Sequence, residues 1–237
     1  SLKELAKQAG LPVFSPPDNR IQAPDSLTKL REWAPTLLLT VQFPAIYGSD
    51  LIRIPSRACL NVHRGWPLRG GSIDPRAIVY RVKEYNVILH HIDKGIDTGA
   101  IIGKVNTNFD ADTDDGFSLD RKVTNAGVSL LEKYFIPLLG RPVPAGQGQD
   151  RSATSYEGKW DSERRTLKPN RMTVEQAERF VRALRHPREE GARLETGGTW
   201  RFVQSILPHG LPDNRTSDDT IRIQFADGAA MCILKPN

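Results

Sequence analysis

Three short apolar runs, at residues 37–41, 59–63 and 86–90, constrain this chain more than any other feature. Each is rich in Leu, Val and Ile and too short for an ordinary helix. The first, broken only by Thr40, reads as a strand buried on both faces. Ahead of it, Leu27, Leu30 and Trp33 recur at a spacing of three behind Asp25 or Ser26, which predicts a brief capped helix that Pro35 stops. Residues 73–82 predict another helix, between the second and third runs. Helix, strand, strand, helix and strand in succession predict an α/β sheet with parallel members.

The longest helical pattern spans residues 117–139, with Leu119, Val123, Ala126, Leu130, Tyr134 and Leu138 on one stripe. A Gly- and Pro-rich stretch follows. It divides a domain over 1–140 from a linker over 141–170 and a small unit over 171–237. In that unit Thr173 and Gln176 form a capping box, and Val174, Ala177, Val181 and Leu184 line a helix face. Alternating residues at 200–203 and 221–225, with a hairpin turn at Asp227-Gly228 into 231–234, predict a β unit.

The composition is globular, with 38% apolar and 26% charged residues in a chain of 237. No apolar run approaches the ~20 residues of a membrane span. The two cysteines, Cys59 and Cys232, make neither a disulfide framework nor a zinc pair, so a cytoplasmic, metal-free protein is expected. The net charge is +5, and arginine outnumbers lysine 22 to 11. That balance suits a small anionic ligand better than nucleic acid, because no basic block dominates.

Chemistry concentrates in residues 59–102. Asn61 and His63 lie two apart on a strand, so both point to one face. Asp97 sits in a glycine-flanked loop just after another strand, where α/β sheets place functional groups. Taken singly, each is ordinary: a lone histidine is usually structural, and Gly-x-Asp-x-Gly is usually a turn. Together they suit acyl transfer, with an imidazole to move a proton, a carboxylate to orient it and an amide to donate to an oxyanion.

These motifs resemble the formyltetrahydrofolate-dependent formyltransferases, which include the glycinamide ribonucleotide, methionyl-tRNA and sugar N-formyltransferases. The family's Asn-x-His stands at Asn61/His63. Its Pro-x-(x)-Arg-Gly stands at Pro67, Arg69 and Gly70, and its His-x-x-Asp-x-Gly-x-Asp-Thr-Gly runs from His90 or His91 through Gly99. The resemblance implies an α/β, Rossmann-like, mostly parallel sheet, shortened at its start, with a small α+β extension. It implies a catalytic triad of Asn61, His63 and Asp97, in which Asn61 and charged His63 stabilise the oxyanion while Asp97 keeps His63 charged and helps relay the proton. It places 10-formyltetrahydrofolate, as co-substrate, against Phe43, Pro44, Ala45 and Ile46 and against Asp93, Gly95, Ile96 and Asp97.

The acceptor side departs from the family pattern. Arg64-Gly65-Trp66 replaces a small-Leu-Leu segment, and the connection from His63 to Arg69 is short. Trp66, Arg69, Gly70 and Tyr80 are the expected acceptor contacts. The tail looks most like the sugar N-formyltransferases, which implies a nucleotide-linked amino sugar such as dTDP-4-amino-4,6-dideoxyglucose. In it Asp218 and Asp219 offset Arg182, Arg185 and Arg188. Alternative readings are a truncated, weakly active or inactive remnant, a methionyl-tRNA formyltransferase, and an RNA-binding module on the helix at 179–188. The chain opens at Ser1 directly on a helix, where the family begins with strand, helix and strand, so a leading sheet unit is expected to be missing. A homodimer is expected.

Overall fold

The apolar run at 59–63 belongs to a longer strand, β2 (Ala58–Trp66), in the computed structural model, which describes residues 2–16, 18, 20–43, 45–161, 163–187, 190–207 and 219–235. Before it come α1 (Leu2–Gln8), α2 (Pro24–Trp33), β1 (Leu37–Val41) and α3 (Ser49–Ile52). After it come β3 (Leu68–Gly70), α4 (Ile73–Val79), β4 (Asn86–His91), β5 (Ile101–Asn106) and α5 (Gly116–Leu130). The cap of α2 differs from expectation: Pro24 occupies its first turn and Ala23 precedes it without a side-chain bond.

The sheet runs β1-β2-β4-β5. The α/β class is as expected, but the sheet is mixed rather than mostly parallel: β1 is parallel to β2, while β2–β4 and β4–β5 are antiparallel. The seven residues of α4 rise only about 10 Å against about 30 Å for the nine of β2, and the chain does not return to the start of β2. Instead β4 begins beside the end of β2, with Asn86 opposite Trp66.

Leu60 and Val62 face one side of the sheet, where they join Val87 and Leu89 under Ala77 and Ile78 of α4 and Leu119, Val123 and Leu130 of α5. Cys59 faces the other side, with Leu30, Tyr47 and Leu51. β1 is less buried than its composition predicts. Leu37, Leu38 and Leu39 are half-buried and Val41 is exposed, because among the described residues β1 pairs on one side only. The pattern over 117–139 is helical throughout. A capping box between Asp115 and Ser118 starts α5, and Pro137, which lacks an N–H, coincides with the change to a π turn (Leu131–Phe135) and then a 3-10 turn (Ile136–Leu139).

The stretch 141–170 packs onto this domain. Gln147 and Ile101 exchange backbone hydrogen bonds of 2.8 Å in both directions, and β6 (Ser155–Glu157) pairs in parallel with β3. The tail then forms α6 (Val174–Ala183), with the expected Thr173/Gln176 capping box, and the antiparallel sheet β7 (Ala192–Thr196), β8 (Thr199–Leu207), β10 (Ala229–Leu234) and β9 (Thr220–Gln224) in that spatial order. The hairpin at 227–228 joins β9 to β10, closed by Phe225 N–H donating to the Gly228 carbonyl at 2.7 Å. Arg182 of α6 donates to the carbonyls of Asp114 and Ala111 and so ties the tail to the first domain. Arg188 and Asp218 of the tail's charge balance lie outside the described residues. Among the described residues no helix is long and apolar enough to cross a membrane.

Candidate active site

Alternation along β2 brings Asn61 and His63 to the same face, and Asp97 meets both from the loop after β4. The Asp97 Oδ1 accepts from Asn61 Nδ2 at 3.3 Å, and its Oδ2 lies 3.4 Å from His63 Nδ1. The Gly70 N–H donates to the same Oδ2 at 3.1 Å. Asp97 holds a left-handed φ of 55°, which Asp tolerates better than most residues. The three residues picked from sequence therefore converge.

Two neighbours orient Asn61. Thr40 Oγ1 donates to its Oδ1 at 2.7 Å, and its Nδ2 lies 3.1 Å from His90 Nε2. His90 Nδ1–H donates to the His91 carbonyl at 2.7 Å, which leaves Nε2 as an acceptor for Asn61. Burial, then the adjacent His63, push the His90 pKa down to about 4, so this ring is neutral near pH 7. On His63, Nε2–H donates to the Leu68 carbonyl at 2.7 Å, leaving Nδ1, beside Asp97, to take or release a proton. Thr40 carried a signal: it is the sole polar residue in an otherwise apolar strand, and it registers opposite Asn61.

A cavity of about 750 Å³ opens over this cluster. Phe43, Ala45, Ile46 and Tyr47 line one part of it with Asp93, Gly95, Ile96 and Asp97. Phe43 and Ile46 are 38% and 64% exposed, so they are not the ordinary core that apolar residues usually form. Asp93 shapes the second loop, its Oδ1 accepting from Gly95 N–H at 2.9 Å and Thr98 Oγ1 at 2.6 Å. Exposed apolar side chains beside a polar turn suit a flat ring whose edge carries hydrogen-bonding groups. Pro44 lies outside the described residues. Desolvation raises the Tyr47 pKa to about 12, so its phenol stays neutral.

Of the acceptor residues expected from sequence, Gly70 lines the cavity and Trp66, Arg69 and Tyr80 do not. Trp66 carries Lys104 Nζ 4.6 Å above its ring, at the far end of β2. Arg69 donates to the Ile96 carbonyl at 3.1 Å, so it braces the loop that carries Asp97. Tyr80 caps the end of α4 and is exposed. The polar wall comes instead from Arg64, whose Nη2 reaches Asp74 at 2.5 Å and Asp120 at 2.6 Å. Their pairing required α4 and α5 to be in place. Glu157, Lys159, Trp160 and Arg165 of the 141–170 stretch also line this side.

No family model matches the chain. It is 31% identical over 220 residues to a methionyl-tRNA formyltransferase of Halorhodospira halophila, covering 90% of this chain and 67% of that protein. The chain spans about half the length of several other methionyl-tRNA formyltransferases that it matches. Among solved structures, a likely sugar N-formyltransferase from Mycobacterium tuberculosis superposes with a TM-score of 0.70 at 21% identity, over 90% of this chain and 92% of that one. A methionyl-tRNA formyltransferase from Clostridium thermocellum superposes with a TM-score of 0.64 at 16% identity, over 98% of this chain and 90% of that one.

Proposed function

The chain belongs to the formyltransferase family, and we propose that it transfers a formyl group from 10-formyltetrahydrofolate to a primary amine. The convergence of Asn61, His63 and Asp97 beneath a cavity carries this reading. The amine lone pair attacks the formyl carbon, a new C–N bond forms, and the bond to the folate N10 breaks. The amine loses one proton and N10 gains one, giving a formamide and tetrahydrofolate. Asn61 Nδ2 turns from Asp97, its longer contact, to donate to the formyl oxygen. His63 Nδ1 and Asp97 hold the proton in transit.

For the acceptor, we propose an amino sugar linked to a nucleotide. The mixture of carboxylates (Asp74, Asp120, Glu157) with Arg64, Lys159 and Arg165 on the acceptor side supports a ligand with both hydroxyls and anionic groups. A methionyl-tRNA acceptor is the second reading, favoured by the identity that runs through 90% of the chain.

The test incubates the protein and 10-formyltetrahydrofolate with amino-sugar nucleotides, glycinamide ribonucleotide or methionyl-tRNA, and follows formamide by mass spectrometry. Product with an amino-sugar nucleotide alone supports the first reading, and product with methionyl-tRNA alone replaces it by the second. No product with any acceptor sinks formyl transfer. Light scattering on the same samples checks the homodimer, which a concentration-independent monomer mass would exclude.

A further inference from the structure

We propose that Arg76 is a positioning residue that holds the reactive carboxylate in place through the 155–160 segment. This inference rests on the formyl-transfer reading of Asn61, His63 and Asp97. Arg76 on α4 is buried, at 3% exposure, and touches none of those three side chains. Its Nη1 donates to the carbonyls of Gly71 at 2.7 Å and Ser72 at 3.2 Å, so it pins the turn after β3. Its Nε lies 3.1 Å from Glu157 Oε2, a close ion pair whose angle falls short of an aligned hydrogen bond. Its guanidinium sits 5.2 Å from the centre of the Trp160 ring, which stacks on Phe180 of α6 at 5.5 Å.

The strands clamped in this way lead to the catalytic cluster. Gly71 N–H donates to the Glu157 carbonyl at 2.9 Å, Trp160 N–H donates to Ser72 Oγ at 3.1 Å, and β6 pairs with β3 from Leu68 to Gly70. The approach is close: a Cβ on Gly70, whose φ is +96°, would lie 2.3 Å from the Glu157 carbonyl oxygen. Gly70 then donates its N–H to Asp97 Oδ2, and Leu68 gives its carbonyl to His63 Nε2. Both ends of β3 therefore touch the triad, and β3 has only β6 as its strand partner among the described residues. A buried charge that donates to two backbone carbonyls and faces one carboxylate fixes geometry more than it adds net stability.

The test compares Arg76→Gln, Arg76→Lys and Glu157→Gln by steady-state kinetics and by the amide NMR resonance of Gly70. Arg76→Gln should lower kcat by roughly 10²-fold, in the range a small misplacement costs, with KM for the folate nearly unchanged. The Gly70 resonance should move toward its position in Asp97→Asn. Arg76→Lys keeps the charge opposite Glu157 and should recover part of the rate. Glu157→Gln leaves the backbone pairing intact and should move the same resonance, which keeps the proposal testable if Arg76→Gln fails to fold. An unchanged kcat overturns the proposal, and so does a lost kcat with the Gly70 resonance unmoved. If the wild-type protein transfers no formyl group, the activity reading falls, while the resonance still decides whether the clamp holds Asp97.

Discussion

The side-chain amide of Asn61 lies 3.1 Å from Nε2 of His90, a ring kept neutral by burial and by its neighbour His63. With Thr40 holding the other end of the amide, the Asn61 Nδ2 hydrogens face His90 and Asp97. The amide is thus held in place, and it is the longer contact, to Asp97, that it can give up.

Because Asn61 is the oriented donor, Asn61→Ala should lower kcat by roughly 10²–10³-fold, the usual effect of removing one oxyanion donor. Its folate affinity, followed by intrinsic fluorescence, should stay near the wild-type value. Unchanged turnover in this variant would remove Asn61 from the mechanism.

His90 sets a pH dependence of stability. Its folded pKa, about 4, lies below the ordinary histidine value of 6.5, so the unfolded chain binds more protons in between. Its contribution is fully present above about pH 6.5 and is lost as the pH falls toward 4. Urea unfolding between pH 7 and pH 4 should therefore show a steeper loss for the wild type than for His90→Gln. Parallel curves would contradict this.

Gly99 sits where a side chain has no room: a Cβ there would lie 1.7 Å from the His91 carbonyl oxygen, in the backbone of β4. Gly99→Ala must push away the loop that Gln149 secures through the carbonyls of Asp97 and Gly99. The expected cost is about 1–3 kcal/mol, as for other overpacked sites. Each kcal/mol lowers Tm by roughly 2–4 °C in a chain of this size. Calorimetry showing an unchanged Tm would mean that the loop is less constrained than its geometry indicates.

Local pattern was enough to place Asn61 and His63 together and to find most of the elements. Spacing of two on a strand put Asn61 and His63 on one face, the capping box at Thr173 started α6, and Asp227-Gly228 turned the last hairpin. These features depend on residues within a few positions of one another, where backbone geometry dictates side-chain direction. Other properties depend on which distant elements become neighbours. Strand direction was one of them: β4 runs against β2, with Asn86 opposite Trp66. The apolar character of β1 likewise did not reveal that, among the described residues, it would pair on one side only.

The polar wall of the cavity is the clearest case of that division. Trp66, Arg69 and Tyr80 are near the motif in sequence, yet they turn to packing, to bracing a loop and to solvent. Arg64, Asp74, Asp120 and Glu157 come from β2, α4, α5 and β6, and only folding assembles them. Short-range backbone periodicity puts the amide and the imidazole together, and the carboxylate reaches them from the loop after β4. The charges around them come from elements that pack together across long stretches of chain, so the partner of each ionic group is decided in three dimensions.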